Sequence, residues 1–138
     1  MTYSFDKLNW LAVLLSFVAG QGFLTLWFTA LFGAPWAAAY GAPDAKAHTK
    51  ELPGHTYAIG AACTLLVTLG IALLQAALGV QGVGDGLALG GILALCLCAA
   101  TVLPGYAFLR RWSASWLAIG SQVLLILIVS VILAAWPA

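Results

Sequence analysis

The sequence predicts an all-α integral membrane protein, a bundle of four transmembrane helices. Of its 138 residues, 64% are apolar and only 7% are charged. The mean hydropathy of +1.07 is far above that of a water-soluble domain, which could not bury so much apolar surface. Polar connections divide the chain into four apolar blocks, each close to the roughly 20 residues with which an α-helix crosses a ~30 Å hydrocarbon core. We therefore expect a single membrane domain over residues 1–138.

Glycine, proline and polar residues set the limits of the spans. The first block is longer than the apolar core of a secretory signal, so we expect it to be retained. The longest connection is 33–54, within which Asp44 is a suitable N-cap for a helix of about two turns. The glycine-rich segment 80–85 predicts a tight turn between antiparallel neighbours, with Asp85 capping the third span. The predicted spans are 8–32, 57–79, 86–106 and 114–136.

The distribution of basic residues predicts the orientation. Lys7 is the only basic residue on the side of the termini. The connections on the other side carry Lys46, Lys50, Arg110 and Arg111. By the positive-inside rule, connection 33–54 is cytoplasmic and both termini are outside. Aromatic residues that flank the spans, Trp27 among them, are expected at the membrane interface.

Uncharged polar side chains are the main candidates for contacts inside the membrane, because the centres of the spans contain no ionisable residue. Gln21 and Gln122 have compatible depths, and Gln75 lies toward the outer end of the second span. An amide in hydrocarbon needs a hydrogen-bond partner. We favour a bond between Gln21 and Gln122 over a substrate site. The alternative is a path for a neutral solute, lined by Gln21, Thr25 and Gln122.

Small residues recur every fourth position on the two central spans, a pattern that lets helices approach closely. On the third span the stripe consists of Gly82, Gly86, Gly90, Ala94 and Cys98, and on the second of Gly60, Thr64, Thr68, Ala72 and Ala76. The stripes either pack the bundle internally, which is the default, or mediate self-association into a dimer or trimer. The sequence does not separate the two uses.

A basic and aromatic cluster is the candidate site for an anionic lipid head group. Its members are Tyr106, Arg110, Arg111, Trp112, Lys46 and Lys50. Most residues of this kind beside a span only anchor its topology, and that is the commoner role.

Metals, cofactors and nucleic acid are not expected. His48 and His55 have no carboxylate or thiol at a supporting spacing, and we expect them to be surface histidines without a special role. Cys63, Cys96 and Cys98 lie in apolar stretches, where a thiol behaves as a small hydrophobe. The charges form no run that could follow a phosphate backbone.

Several short motifs lie in order along nearly the whole chain: Asn9-Trp10-Leu11-Ala12, Leu26-Trp27-Phe28, Leu31-Phe32-Gly33 with Trp36, and Thr101, Tyr106, Phe108 and Arg110. Together they resemble the bacterial family catalogued as domain of unknown function 1761. The sequence departs from the family pattern at Pro104-Gly105. The resemblance implies a four-helix protein of the bacterial inner membrane and no assigned activity.

No catalytic constellation is present, so an enzyme is not expected. The leading hypothesis is a membrane protein that acts through lipid, through copies of itself, or as an accessory subunit of a membrane assembly. The competing hypothesis is a carrier or channel for a small neutral or apolar solute.

Overall fold

A computed structural model describes residues 4–137, and every regular element in this range is helical. The helices are α1 (Trp10–Leu31), α2 (Gly33–Ala39), α3 (Ala45–Glu51), α4 (Gly54–Leu78), α5 (Val83–Phe108) and α6 (Trp112–Ala135), preceded by a short 3₁₀ turn at Phe5–Lys7. Of these, α1, α4, α5 and α6 are long and apolar enough to cross a membrane, as the sequence predicts. Residues 1–3 and 138 of the predicted domain lie outside the described residues.

Two of the helix starts follow from side-chain caps. Asn9 Oδ1 accepts the N–H of Ala12 at 3.1 Å, which caps α1. Asp44 Oδ1 accepts the N–H of Ala47 at 2.7 Å, so the predicted short helix and its cap are confirmed. The predicted cap of the third span is wrong. Because Gly82 adopts a φ of 85° and α5 begins directly after it, Asp85 lies inside the first turn and makes no capping hydrogen bond.

Wider π-helical turns interrupt two of the long helices. They lie at Trp27–Leu31, the end of α1, and at Leu93–Ala99, the middle of α5. The second π segment ends immediately before Ala100, the residue whose carbonyl Pro104 leaves without its usual donor. The helix then continues through Pro104 to Phe108, two residues beyond the predicted end at 106.

The four long helices alternate in direction. At one end, the N–H of Gly82 donates to the carbonyl of Ala134 at 2.9 Å, and Asn9 lies beside Trp136. At the opposite end, Trp27 contacts Leu117 near the start of α6. The described ends of the chain therefore lie together with the α4–α5 turn. The α2–α3 connection and the α5–α6 turn occupy the other end.

Helix α6 is the centre of the assembly, and α1, α4 and α5 all pack on it. Its largest fully buried side chains are Leu117, Ser121, Leu125, Val129 and Ser130. Gln75 of α4 is buried and donates through Nε2 to the carbonyl of Ser130 at 2.9 Å. Gln75 therefore makes an interhelical hydrogen bond, whereas the sequence predicts such a bond between Gln21 and Gln122.

The large apolar side chains point outward and the small polar ones inward. Leu11, Leu66 and Leu95 each leave more than half of their surface exposed, whereas Ser16 and Thr68 are fully buried. A soluble protein has the opposite arrangement. This distribution suits helices whose surroundings are as apolar as their outer faces.

Helices α4 and α5 are antiparallel but not closely packed, which corrects the expectation of direct neighbours. An entirely apolar groove separates them, lined on one side by Val67 and Gly70 and on the other by Leu93 and Leu97. Helix α4 packs mainly on α1 and α6, and α5 packs mainly on α6. A short turn thus joins α4 to α5 without bringing their backbones together.

Candidate functional site

A cavity of about 470 Å³ lies between α1 and α4, in the half of the bundle next to the α2–α3 connection. Helix α6 forms its back wall through Gln122. The residues that line it are Gln21, Leu24, Thr25, Phe28, Thr29, Trp36, Thr49, Leu52, Thr56, Tyr57, Gly60, Cys63, Thr64 and Gln122. The described lining contains no Asp, Glu, Lys, Arg or His, so the cavity is suited to a neutral molecule.

The deep end of the cavity is polar. Gln21, Thr64 and Gln122 each lie ten residues from the end of their helix on the side of the α2–α3 connection. At 1.5 Å per residue this is a depth of about 15 Å, close to the middle of a membrane span. The three helices therefore place amide and hydroxyl groups at one level.

The structure brings together Gln21, Thr25 and Gln122, the three side chains that the sequence proposes as the lining of a solute path. The favoured alternative, a hydrogen bond between Gln21 and Gln122, is not formed. Gln21 Oε1 is shielded from solvent and has no hydrogen-bond partner within residues 4–137. A buried amide oxygen without a donor is costly.

Hydroxyl groups on the wall donate to nearby backbone carbonyls. Thr25 donates to Gln21 at 3.0 Å and Thr29 donates to Thr25 at 2.6 Å, both along α1. Thr64 donates to Gly60 at 3.0 Å along α4. Such bonds use the proton and leave the hydroxyl oxygen free to accept.

The α2–α3 connection, which joins α1 to α4, covers the end of the cavity that lies opposite its polar deep end. Tyr57 Oη donates to the carbonyl of Thr49 at 2.8 Å and so ties α3 to α4. His48 is 8% exposed, and its ring lies 4.4 Å from that of Trp36 and 5.1 Å from that of Tyr40 between centroids. The expectation of a surface histidine is therefore wrong for His48, which holds α2 and α3 together as one cover.

The family model described as "Protein of unknown function (DUF1761)" matches residues 11–134, which is most of the chain. The chain belongs to this family. No curated protein and no solved structure matches it.

In this DUF1761 member, the glycine stripe of α5 packs against α6. A Cβ atom on Gly86 would lie 2.6 Å from the Cβ of Ala134, and one on Gly90 would lie 2.8 Å from the Cβ of Ser130. Ala94 is fully buried on the same side, whereas Gly82 forms the preceding turn. The glycine stripe of α5 therefore packs the bundle internally, against α6.

The stripe of α4 has two environments. Thr64, Thr68 and Ala72 are buried against the other helices. Gly60 is exposed, has no neighbouring atom within 4 Å of an added Cβ, and lines the cavity. The middle of the stripe therefore packs against the other helices, whereas its first residue, Gly60, lines the cavity.

The basic cluster is only partly assembled. Arg110, Arg111 and Trp112 line a depression of about 380 Å³ beside the end of α2. Tyr106, Lys46 and Lys50 do not line it. Arg110 has a φ of 53°, and the N–H of Arg111 donates to the carbonyl of Tyr106 at 3.1 Å, a geometry that ends α5 in a left-handed turn. Among the described residues, no group of three or more His, Cys, Asp or Glu side chains could hold a metal ion.

Several lining residues of the DUF1761 cavity were not identified from the sequence, among them Thr29, Trp36 and Cys63. A signal for some of them was available. Gln21, Thr25 and Thr29 follow each other at four-residue spacing, and such residues share one helix face. Thr56, Gly60 and Thr64 follow each other at the same spacing along the start of α4. Two facing polar stripes on neighbouring apolar helices would have indicated a cavity wall.

Proposed function

We propose that this DUF1761 protein inserts its four long helices into a membrane and binds a small neutral, largely apolar molecule between α1 and α4, as a carrier or binding protein does. The observation that carries the proposal is the cavity of about 470 Å³ with uncharged polar groups at its deep end. Pockets of this size, mostly apolar with a few polar groups, are typical of small-molecule sites.

The outer surface supports membrane insertion. Leucines cover the outward faces of the long helices, while serine, threonine and glutamine side chains face inward. Each long helix pairs most of its backbone groups within itself, which is what a segment in lipid requires. The four basic residues of the connections lie at one end of the bundle, which favours the cytoplasmic side for that end. The family resemblance favours the bacterial inner membrane.

The position of the cavity favours entry from the lipid. Thr25 on α1, with Gly60 and Cys63 on α4, is exposed at the seam between the two helices. The other end of the cavity is closed by α2 and α3. A molecule dissolved in the bilayer would therefore reach Gln21 laterally.

A photoactivatable octanol that carries a diazirine tests the proposal. With the protein in lipid nanodiscs, we expect saturable labelling of the α1 and α4 residues that line the cavity, mapped by peptide mass spectrometry. The variant Gly60→Phe should lower this labelling to the nonsaturable background, because the ring occupies open space in the cavity.

The matched control is Gly70→Phe. Gly70 also has no atom within 4 Å of an added Cβ, but it lines the separate groove between α4 and α5. This variant should be labelled in the cavity like the parent protein. Labelling that is spread evenly over all outward faces, and is unaffected by Gly60→Phe, would refute the proposed site.

A second candidate function is action through anionic lipid, which the depression at Arg110, Arg111 and Trp112 favours. No carboxylate lines this depression within the described chain, so a lipid phosphate would meet two uncompensated guanidinium groups. We expect phosphatidylglycerol to remain bound in native mass spectrometry and to be lost from the double variant Arg110→Gln, Arg111→Gln. The control is the double variant Lys46→Gln, Lys50→Gln, which should retain phosphatidylglycerol as the parent protein does. Loss from both variants, or from neither, would speak against a specific lipid site.

A further inference from the structure

The carboxamide of Gln122 borders the cavity with both of its polar atoms free. Gln122 is half-buried, and it is the residue through which α6 lines the cavity. Within residues 4–137 its amide makes no hydrogen bond. The side-chain polar atoms that are shielded from solvent without a partner are Ser16 Oγ, Gln21 Oε1 and Ser130 Oγ, so neither atom of the Gln122 amide is among them. Both atoms are therefore accessible from the cavity.

The other polar side chains near the deep end offer a ligand less. The hydroxyl of Thr25 donates to the carbonyl of Gln21, and that of Thr64 donates to the carbonyl of Gly60. Their oxygens therefore offer lone pairs and no proton. Gln21 Oε1 is shielded, so Gln21 does not present its acceptor to the cavity. Gln122 is thus the side chain at this level that offers a donor and an acceptor together.

We infer that the cavity selects apolar molecules with a primary amide or lactam group, which pairs with the carboxamide of Gln122 through two hydrogen bonds. Gln122 Nε2 donates to the carbonyl of the ligand, and an N–H of the ligand donates to Gln122 Oε1. This inference rests on the proposed function and names its ligand class. A carboxamide holds its donor and its acceptor side by side, so its full complement is a group with N–H and C=O on one edge. A hydroxyl has both functions on a single atom and matches only one of the two positions at a time.

Charge and depth favour an amide over a carboxylic acid, which has a similar edge. A carboxylic acid is ionised near neutral pH, and the described lining contains no Lys, Arg or His to compensate its charge. Gln122 lies ten residues from the start of α6, a depth of about 15 Å, where an unpaired amide is costly. The apolar body of the ligand would contact Leu24, Phe28 and Leu52. The ligand class is thus a neutral amide that partitions into lipid.

Competition between two isomers tests the inference. Octanamide and N,N-dimethylhexanamide have the same atoms and the same carbonyl group, but only octanamide has N–H donors. With the diazirine octanol as probe in nanodiscs, we expect octanamide to prevent cavity labelling at about a tenfold lower mole fraction in the membrane, because its isomer leaves Gln122 Oε1 unpaired. In Gln122→Leu the two isomers should compete equally.

Gln122→Leu is expected to fold, because its amide makes no hydrogen bond within the described chain that the substitution would break, and saturable labelling of the variant by the probe checks this. Gln81→Leu is the control, since Gln81 lies in the α4–α5 turn, away from the cavity, and should keep the preference for octanamide. Equal competition by the isomers in the parent protein, with saturable labelling intact, would overturn the amide selectivity and leave the proposed function standing. Absence of saturable cavity labelling would overturn both. An unchanged preference in Gln122→Leu would overturn the role of Gln122.

Discussion

Replacement of Trp27 by alanine is expected to lower the free energy of unfolding by about 3–5 kcal/mol, the usual cost of removing a large buried aromatic ring. Trp27 is only 7% exposed, and its Nε1–H donates to the carbonyl of Leu117 at 3.1 Å. Its ring lies 4.3 Å from that of Phe32 between centroids and rests on Gly120, where an added Cβ would lie 3.2 Å from Cζ2. The indole thus joins the end of α1 to α6.

Unfolding by SDS in mild detergent micelles measures this effect. Trp27→Phe keeps an aromatic ring but removes the donor, so it should cost about 1 kcal/mol beyond its smaller volume. Trp10→Ala is the control, because Trp10 is 54% exposed and its loss should change stability by about 0.5 kcal/mol or less. Equal effects of Trp27→Ala and Trp10→Ala would mean that Trp27 is an interface anchor after all.

Gly86→Leu is expected to lower the free energy of unfolding by about 3 kcal/mol, at the upper end of what overpacking costs. The added Cβ would lie 2.6 Å from the Cβ of Ala134 and 2.8 Å from the carbonyl oxygen of Ser130. The second of these is a backbone atom of the central helix, so it cannot rotate out of the way. Helix α5 would have to move away from α6.

The same SDS titration should show Gly84→Leu to be neutral or slightly stabilising. Gly84 lies one half-turn earlier in α5 and has no atom within 4 Å of an added Cβ, and leucine favours a helix over glycine by up to about 1 kcal/mol. If Gly86→Leu were as stable as Gly84→Leu, the close contact between α5 and α6 would be contradicted.

The helical architecture could be predicted because it depends on length and hydropathy along the chain. Four apolar stretches separated by turn-forming residues give four long helices wherever their partners lie. The local cap at Asp44 was predictable for the same reason, since the capping carboxylate and the N–H that donates to it lie three residues apart. The predicted cap at Asp85 is wrong because Gly82 starts the helix earlier, so that Asp85 lies within the first turn.

Which side of each helix is buried in the bundle could not be predicted in the same way. The long helices are apolar over most of their surface, so hydropathy alone does not indicate which side is buried. Trp27 was expected at the interface from its place near a span end, yet the structure turns it toward Gly120. His48 was expected on the surface, yet α2 and α3 enclose it.

Some of the residues that line the candidate site could be predicted from the sequence, but the hydrogen bonds that they make could not. Gln21 and Gln122 were matched in depth from the sequence, and both reach one cavity. A hydrogen bond between them also depends on which way each side chain turns, and this is set by packing in the whole bundle. Gln75, on the packed side of α4, is the amide that reaches a carbonyl across the interface.

Fluorine NMR of the protein labelled with fluorotryptophan tests the cavity most directly, since each of the six tryptophans gives its own signal. Trp36 alone among them lines the cavity, and Trp36→Phe assigns its resonance. In nanodiscs, 1-octanol should shift the Trp36 signal in a saturable way and leave Trp10 and Trp136, at the opposite end, unchanged. A Trp36 signal that does not respond, or six signals that drift together with the lipid composition, would contradict a binding cavity between α1 and α4.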